Sequence, residues 1–195
     1  MATTVLLKLR GRSDAARWSM PANLFASWDA RTETLASLVP PGSSVLEFGA
    51  GRQVLVRYLP ERCIYTPSDL VDRGNGTIVC DLNAGRLPPF PYHDVVVFGG
   101  VLEYVHDLPR LIRHLAGCCR EIVASYAVTD LADQASVITR RQHGWVNDFN
   151  SRELEALFRD HGFRRTQLLV WKGQHLFRFV RVTVGQTREL PEGGA

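Results

Sequence analysis

The chain has 195 residues, of which 45% are hydrophobic, and its formal net charge is +3 at pH 7. This length fits one compact domain with a substantial core, since single domains commonly have roughly 50 to 250 residues. No apolar run approaches the roughly 18 to 20 residues of a membrane-spanning helix, and the first residues lack the pattern of a signal peptide. We therefore expect a soluble cytoplasmic protein with no membrane partner.

The cysteines do not indicate a metal site, and the basic residues do not indicate a nucleic-acid-binding surface. The cysteines lack the paired spacing and the histidine neighbours of a zinc site, so we expect reduced core thiols and no metal at Cys63, Cys80, Cys118 and Cys119. The basic residues are scattered along the chain, which is typical of a solvated surface. This pattern disfavours nucleic acid as a partner.

The chain begins with a segment that has no clear apolar period. We predict an N-terminal arm at residues 1–19, whose order the sequence leaves open, a single domain at residues 20–186 and a flexible tail at residues 187–195. An apolar stripe at helical spacing predicts a helix from about Met20 to Val39, which Pro40 and Pro41 end.

Short apolar runs then alternate with helical patterns. Strands are predicted at Ser44–Phe48, Cys63–Thr66, Thr77–Cys80, Asp94–Phe98 and Arg120–Tyr126. Helices are predicted at Val54–Leu59, at Leu108–Leu115 and, behind a capping box of Asn150 and Glu153, as far as Asp160. The runs Arg164–Trp171 and Leu176–Val184 are typical of a closing hairpin. The alternation favours an α/β fold with a mostly parallel sheet, whose ligands bind at the carboxyl ends of the strands.

The first strand carries Glu47 and leads directly into Gly49-Ala50-Gly51. Glycines let a ligand approach the backbone without an intervening side chain, although a tight turn explains the pattern equally well by itself. An acidic residue then follows each of the next two strands. Asp69 lies about 20 residues after the glycine turn, where a carboxylate can accept both ribose hydroxyl hydrogens. Asp81 can accept a hydrogen bond from an adenine amine, and a surface turn is the alternative role for either residue.

These motifs, with the segment from Asp94 to Val105, resemble the ordered motifs of class I S-adenosylmethionine-dependent methyltransferases. The likeness runs from about residue 20 to 184 and is greatest to small members with a Val-Leu-Glu-His/Tyr-Val segment after the fourth strand. The resemblance implies a doubly wound, Rossmann-like sheet of seven strands with an antiparallel last strand. It also implies S-adenosylmethionine as the cofactor, bound by Glu47, Gly49, Ala50, Gly51, Asp69, Leu70, Asp81, Leu82 and Gly99.

One position departs from the family pattern, because Gln53 stands where the loop usually has its third glycine. A noncatalytic protein that keeps the fold to bind the cofactor or a protein partner therefore stays an alternative. A nicotinamide-dependent enzyme is disfavoured, because Val54 occupies the position of the third glycine in Gly-x-Gly-x-x-Gly. A nucleic-acid methyltransferase is also disfavoured, since the run Leu87–Phe90 precedes the fourth strand, whereas the Pro-Pro motif of amino-group methylation follows it.

Methyl transfer needs an acceptor atom aligned in a dry site, and a base only where the acceptor must lose a proton. We expect a small-molecule hydroxyl acceptor, because a small domain carries an aromatic-containing insert, Gln142–Phe149, suited to lining a pocket. Trp145 and Phe149 either form that wall or pin the insert to the core. The candidate bases are His143 first, then Glu103, Tyr104 and His106. The sequence does not specify the oligomeric state.

A lid over the site is a further hypothesis, and its candidate residues are Trp18, Phe25 and Trp28. Phe25 and Trp28 also fit the apolar face of the helix predicted from Met20 to Val39, and we expect them there as core residues.

Overall fold

The structure is a computed structural model that describes residues 6–7, 10–132 and 135–182. The described strands are β1 (Ser44–Phe48), β2 (Ile64–Asp69), β3 (Ile78–Val79), β4 (His93–Gly99), β5 (Cys119–Tyr126), β6 (Phe163–Trp171) and β7 (Gln174–Arg181). The described α-helices are α1 (Ala15–Ser19), α2 (Asp29–Ala36), α3 (Leu108–Leu115), α4 (Val137–His143) and α5 (Ser151–Asp160). Single 3-10 turns lie at Pro21–Asn23, Ala26–Trp28, Leu55–Arg57 and Leu102–Tyr104.

The described strands form a seven-stranded sheet with the order β3-β2-β1-β4-β5-β7-β6. The pairs β1 with β2, β1 with β4, β2 with β3 and β4 with β5 are parallel, whereas β7 is antiparallel to both β5 and β6. This arrangement confirms the predicted α/β fold and its antiparallel last strand. The chain moves outward from β1 to β3 and returns to place β4 on the other side of β1. A crevice is expected where the order reverses.

Both faces of the central strands are buried, which explains why the strands are nearly continuous apolar runs. Alternate residues face opposite sides of a sheet. One side is packed by α3 and α5 and includes Leu46, Phe48, Val96 and Phe98. The other side is packed by α2 and includes Leu35, Val45, Val95 and Val97. On the α2 side, the same alternation brings Glu47 and Gly99 to the ends of their strands.

The helix predicted from Met20 to Val39 is wrong in its first half. Two 3-10 turns precede α2, and the backbone between them is extended at Phe25. Phe25 is consequently not a core residue, since it is 53% exposed. The apolar spacing that predicted one long helix belongs instead to two short 3-10 turns followed by α2.

Two other helical assignments differ from the sequence analysis. The helix predicted at Val54–Leu59 is a single 3-10 turn at Leu55–Arg57. No helix was predicted between Tyr126 and Asn150, but the structure has α4 there. Thr139 N donates to Ser136 Oγ at its N-terminus, and the left-handed Gly144 follows its last residue. These cap residues are typical helix signals, although the apolar pattern between them is weak.

The later elements match their predictions closely. Helix α3 has the predicted bounds, and α5 begins with the predicted capping box of Asn150 and Glu153. The hairpin of β6 and β7 is confirmed. None of the described helices is long and apolar enough to cross a membrane. Cys80 and Cys119 are buried, and the four cysteines are free thiols.

The predicted domain boundaries fall partly beyond the described ranges. Residues 187–195, predicted as a tail, lie outside the described residues, as do residues 183–186 of the predicted domain. Residues 10–19 of the predicted arm are described and include α1.

Candidate functional site

A cleft opens at the carboxyl ends of β1, β2 and β4, where the strand order reverses. It is lined by most of the residues that the sequence analysis assigned to a cofactor: Glu47, Gly49, Ala50, Gly51, Asp69, Leu70, Leu82 and Gly99. Asp81 does not line the described cleft. The fold therefore brings together groups from several strand ends that lie more than 50 residues apart in sequence.

The loop after β1 turns through glycines in the left-handed region. Gly49 has φ +69°, and a Cβ atom there would lie 2.4 Å from Val101 Cγ2, so this position accommodates glycine alone. Ala50 N donates to Ser68 O at 3.0 Å, and Gly51 N donates to Asp69 Oδ2 at 2.7 Å. The loop is thus fastened to the end of β2 while its own backbone faces the cleft.

Gln53 adopts the backbone conformation that a glycine would take at its position. Its φ is +54°, and its N–H donates to Ala50 O at 2.7 Å. The side-chain amide donates to Gly74 O and Thr77 Oγ1, both at 3.2 Å, and accepts from Asn75 Nδ2 at 2.8 Å. The missing third glycine therefore leaves the turn intact, and the amide connects the glycine loop to the loop after β2.

Asp69 is buried at the end of β2, where other groups of the protein already contact its carboxylate. Gly51 N holds Oδ2, while Arg73 Nη2 lies 3.3 Å from Oδ1. Arg73 Nη2 also donates to Trp18 O at 2.6 Å. The sequence analysis missed Arg73, which links the predicted ribose-binding carboxylate to the N-terminal arm.

The arm crosses the cleft and contacts the other predicted carboxylate. Ser13 Oγ donates to Asp81 Oδ1 at 2.6 Å, and Asn83 Nδ2 donates to Ser13 Oγ at 2.9 Å. Asp81 also accepts from Asn83 N at 2.9 Å. Its carboxylate is therefore occupied by the arm and by its own turn. The adenine-binding role of Asp81 stays a prediction.

Aromatic side chains from the arm and the turns before α2 form a wall of the cleft. Trp18 meets Tyr104 edge-on at 5.4 Å between ring centroids, and Phe25 meets Trp28 edge-on at 5.1 Å. The four residues all line the cleft. This position agrees with the hypothesis of an aromatic lid.

Glu47 is a buried acid on the α2 side of β1. It is 6% exposed, and Tyr65 Oη donates to its Oε2 at 2.5 Å. Burial raises the pKa of Glu47 to about 8, because desolvation disfavours the charged carboxylate more than the Tyr65 hydrogen bond favours it. Nearby Asp69 raises the pKa further, and nearby Arg31 partly offsets the rise.

Arg31 projects from α2 toward the end of β4 and was also missed by the sequence analysis. Its Nη2 donates to Gly99 O at 2.9 Å, and Nη1 lies 3.4 Å from Gln174 Oε1. Its buried Nε has no hydrogen-bond partner among the described residues. Burial lowers the pKa of the Arg31 guanidinium, since desolvation outweighs the attraction of Glu103, Tyr104 and Glu47.

The four predicted bases occupy different environments. Tyr104 and His106 line the cleft, but the side chains of Glu103 and His143 lie outside its described lining. The carboxylate of Glu103 is buried and accepts from Ala127 N at 2.9 Å, and burial raises its pKa. The ring of His143 rests 5.1 Å from that of Trp145. Burial raises the pKa of Tyr104 to about 12, so its hydroxyl stays protonated near neutral pH.

The insert is held in place by a buried arginine. Arg140 is 1% exposed and donates to Asp148 Oδ1 and Ala127 O, both at 2.6 Å. Its guanidinium lies 4.8 Å from the centroid of the Trp145 ring. Gly144 and Val146 line the cleft, whereas Trp145 and Phe149 do not. The structure therefore favours the interpretation that the two aromatic residues pin the insert.

Comparisons with known proteins agree with this geometry. Residues 20–168 match a family model described as a methyltransferase domain. No curated protein matches the chain. Among solved structures, the chain is similar to the 1,6-didemethyltoxoflavin-N1-methyltransferase of Burkholderia thailandensis, which contains 1,6-didemethyltoxoflavin and S-adenosylhomocysteine. The TM-score is 0.61 at 17% identity, over 81% of this chain and 79% of that chain.

Two further solved structures share the fold. The magnesium protoporphyrin IX methyltransferase of Synechocystis PCC 6803, with bound S-adenosylhomocysteine, has a TM-score of 0.55 at 17% identity, over 80% of this chain and 82% of that chain. Human N-acetylserotonin methyltransferase, in complex with S-adenosylmethionine, has a TM-score of 0.64 at 14% identity, over 88% of this chain and 57% of that chain. This chain therefore spans little more than half of the human protein.

Two substitutions distinguish the effect of backbone strain at Gln53 on stability from the effect of its side-chain contacts. Gln53→Ala removes the amide contacts and keeps an L-residue at φ +54°, whereas Gln53→Gly removes the same contacts and relieves the strain. We expect Gln53→Ala to be less stable than Gln53→Gly by about 1 kcal/mol in urea denaturation. The matched control is Arg62, which has φ +64°. Equal stability of the two Gln53 variants, with a clear alanine penalty at Arg62, would contradict the assignment of strain.

The raised pKa of Glu47 predicts a pH-dependent stability. Between the ordinary value of 4.5 and about 8, the folded state keeps a proton that the unfolded state loses, so stability falls as pH rises through this window. The slope from one such group is at most about 1.4 kcal/mol per pH unit. We expect Glu47→Gln to remove this fall in urea denaturation at pH 5, 6.5 and 8. The exposed Glu61→Gln serves as the control, and parallel pH profiles of Glu47→Gln and the wild type would refute the prediction.

Proposed function

The chain belongs to the methyltransferase-domain family, and we propose that it transfers a methyl group from S-adenosylmethionine to a hydroxyl group of a small molecule. The observation that carries the proposal is the single cleft in which the glycine loop, Asp69 and Gly99 converge at the switch point of the sheet. Ligands of open α/β sheets bind at this position. The three solved relatives described above are likewise methyltransferases of small molecules.

The residues of the cleft fit the cofactor. Gly49 and Gly51 present bare backbone to it, and Leu70 and Leu82 supply apolar surface suited to a flat base. Asp69 Oδ2 is held at 2.7 Å by Gly51 N, while the contacts of Oδ1 are longer, at 3.3 Å from Val71 N and Arg73 Nη2. Oδ1 is therefore the atom we assign to the ribose hydroxyls. When bound, S-adenosylmethionine supplies a methyl group on a positively charged sulfur.

The acceptor is assigned to the aromatic wall. The rings of Trp18, Trp28 and Tyr104 suit an acceptor with a flat apolar body, and the arm that carries Trp18 lines the cleft. A hydroxyl acceptor must lose a proton near the transition state.

We assign the base to His106, because two of the candidates lie outside the cleft lining and the hydroxyl of Tyr104 stays protonated. His106 is exposed at the rim of the cleft, and imidazole is suited to accepting a proton near neutral pH.

Cofactor binding is the first test. We expect S-adenosylhomocysteine to bind the wild type in isothermal titration calorimetry. Gly51→Ala should weaken that binding by about 10-fold or more, because the added methyl group would lie 3.5 Å from Leu24 Cδ2, another cleft-lining residue. The matched control is Gly76→Ala, since Gly51 and Gly76 both have positive φ, and a Cβ atom on Gly76 would meet nothing within 4 Å. Tight NADH binding without S-adenosylhomocysteine binding would refute the proposal, as would equal losses in the two alanine variants.

Methyl transfer is the second test. We expect label from methyl-labelled S-adenosylmethionine to enter aromatic hydroxyl compounds rather than amines of matched shape. In His106→Ala, kcat should fall by about 100-fold, the usual lower range for loss of a general base. His143→Ala is the control and should keep most of the activity. Labelled amines would contradict the hydroxyl assignment. Cofactor binding without transfer to any compound would favour the noncatalytic alternative.

A further inference from the structure

Arg17 brings a guanidinium to the place where the N-terminal arm meets the insert. Its Nη1 donates to His143 O at 3.0 Å, and the Tyr104 hydroxyl donates to the same oxygen at 3.4 Å. The guanidinium carbon also lies 4.9 Å from the centroid of the Trp18 ring. Arg17, Trp18 and Tyr104 all line the cleft. A positive charge therefore lies against the aromatic wall to which the acceptor was assigned.

Most of the other arginines that line the cleft have acidic neighbours: Arg52 has Asp29, Arg73 has Asp69, and Arg31 has Glu103 and Glu47. Arg17 forms no ion pair within residues 10–132 and 135–182, and its Nε and Nη2 donate no hydrogen bond to these residues. The exposed Arg12 also lines the cleft without an ion pair in this part of the chain. Both of these cations belong to the arm.

Asp14 is the acidic residue nearest to Arg17 in sequence, and it also lines the cleft. Its Oδ1 accepts from Arg17 N at 2.9 Å and thereby caps α1. This bond uses the backbone of Arg17, so the Nε–Nη2 edge of the guanidinium keeps its N–H donors. Such an edge donates two parallel hydrogen bonds to a carboxylate. A carboxylate on a ligand in the cleft would therefore meet a partner of matching shape and opposite charge.

We propose that the methyl acceptor is an aromatic hydroxy acid, whose ring packs on Trp18 and Tyr104 and whose carboxylate pairs with Arg17. This inference rests on the proposed function and narrows its class of acceptor. The methyl group goes to the hydroxyl oxygen, the hydroxyl proton goes to His106, and the carboxylate keeps its charge. The neutral carbonyl of His143 holds the guanidinium in place without cancelling its charge.

The pair should contribute a moderate part of the affinity for the acceptor. Arg17 is half-buried, so water weakens its attraction to a carboxylate less than at the open surface and more than in a closed core. A charged hydrogen bond in this position changes affinity by about 10-fold. The effect should appear in KM rather than kcat, because the carboxylate is unchanged by the reaction and is bound equally in the ground state and the transition state.

Hydroxybenzoates and their carboxamides test the pair, because each acid and its amide share a shape and differ in charge. The probes have the hydroxyl group ortho, meta or para to the carboxyl group, and the measurement is transfer of labelled methyl from S-adenosylmethionine. We expect the wild type to prefer an acid to its amide by about 10-fold in kcat/KM. In Arg17→Gln, KM for the acid should rise by about 10-fold, while KM for the amide changes by less than about 2-fold. Arg17→Lys should recover part of the loss, since it keeps the charge without the planar fork.

Arg52→Gln is the matched control, because Arg52 also lines the cleft but already pairs with Asp29 at 2.8 Å. Its loss should leave the preference for acid over amide unchanged. Binding of S-adenosylhomocysteine, measured by calorimetry, should be the same in Arg17→Gln and in the wild type. A weaker affinity of Arg17→Gln for the acid, the amide and S-adenosylhomocysteine alike would overturn the proposal and make Arg17 a structural contact of the arm.

Three further outcomes overturn the proposal. Equal use of acids and amides by the wild type, or labelling of other hydroxyl compounds alone, would refute the acidic acceptor and leave the proposed function intact. Label in a base-labile methyl ester would show that the carboxylate faces the methyl donor instead of Arg17. If no hydroxyl compound is labelled at all, the proposed function fails, and this inference fails with it.

Discussion

The parallel pairing of β1 with β4 is the constraint on which the site depends. The two strands are adjacent in the sheet but distant in sequence, and their register pairs Phe48 with Phe98 at the ends of both strands. The chain leaves β1 toward β2 on one side and leaves β4 toward β5 on the other. Their loops therefore diverge, and the space between them is the cleft. The glycine loop stands at the end of β1 and Gly99 at the end of β4, so this pairing brings both into the cleft.

The two buried arginines Arg140 and Arg31 differ in how fully their guanidinium groups are hydrogen-bonded. Arg140 is almost fully buried, but a carboxylate and two carbonyl oxygens satisfy its guanidinium, so its network rigidifies the insert. Arg31 is nearly as buried, yet no carboxylate hydrogen-bonds to it in the described structure. A fully paired arginine stabilises a fold, whereas one with an unpaired nitrogen in a cleft stores unfavourable free energy that a ligand can relieve. The contrast separates an arginine that is fully paired within the fold from one that keeps spare hydrogen-bonding capacity in the cleft.

The sequence predicted the sheet well because strands that are buried on both faces are nearly continuous apolar runs, which are easy to recognise. It also predicted the glycine loop and Asp69, because the ends of strands, unlike their buried interiors, accommodate the glycine and polar residues of a binding site. It failed at Met20 to Val39, because short 3-10 turns and a helix share the same apolar spacing over a few residues. Arg31 could have been found from the sequence. Trp28, Arg31 and Leu35 share one helical face, and a charged residue on an otherwise apolar face is unusual. Arg73 carried no such signal, because its importance comes from a hydrogen bond to Trp18 O, which is distant in sequence, made by the same nitrogen that contacts Asp69.

The least predictable segments are the ones that cover the cleft, and this has a physical reason. A core strand must satisfy hydrogen bonding and packing on two faces at once, so its sequence is narrowly constrained. A covering segment such as residues 12–18 touches the domain through a few polar contacts, among them Ser13 with Asp81 and Trp18 with Arg73. Arg73 lines the cleft and also contacts Asp69, while Asp81 lies next to the cleft-lining Cys80 and Leu82. The N-terminal arm and the cleft therefore share hydrogen-bonding groups, whereas the sheet beneath is held by its own core.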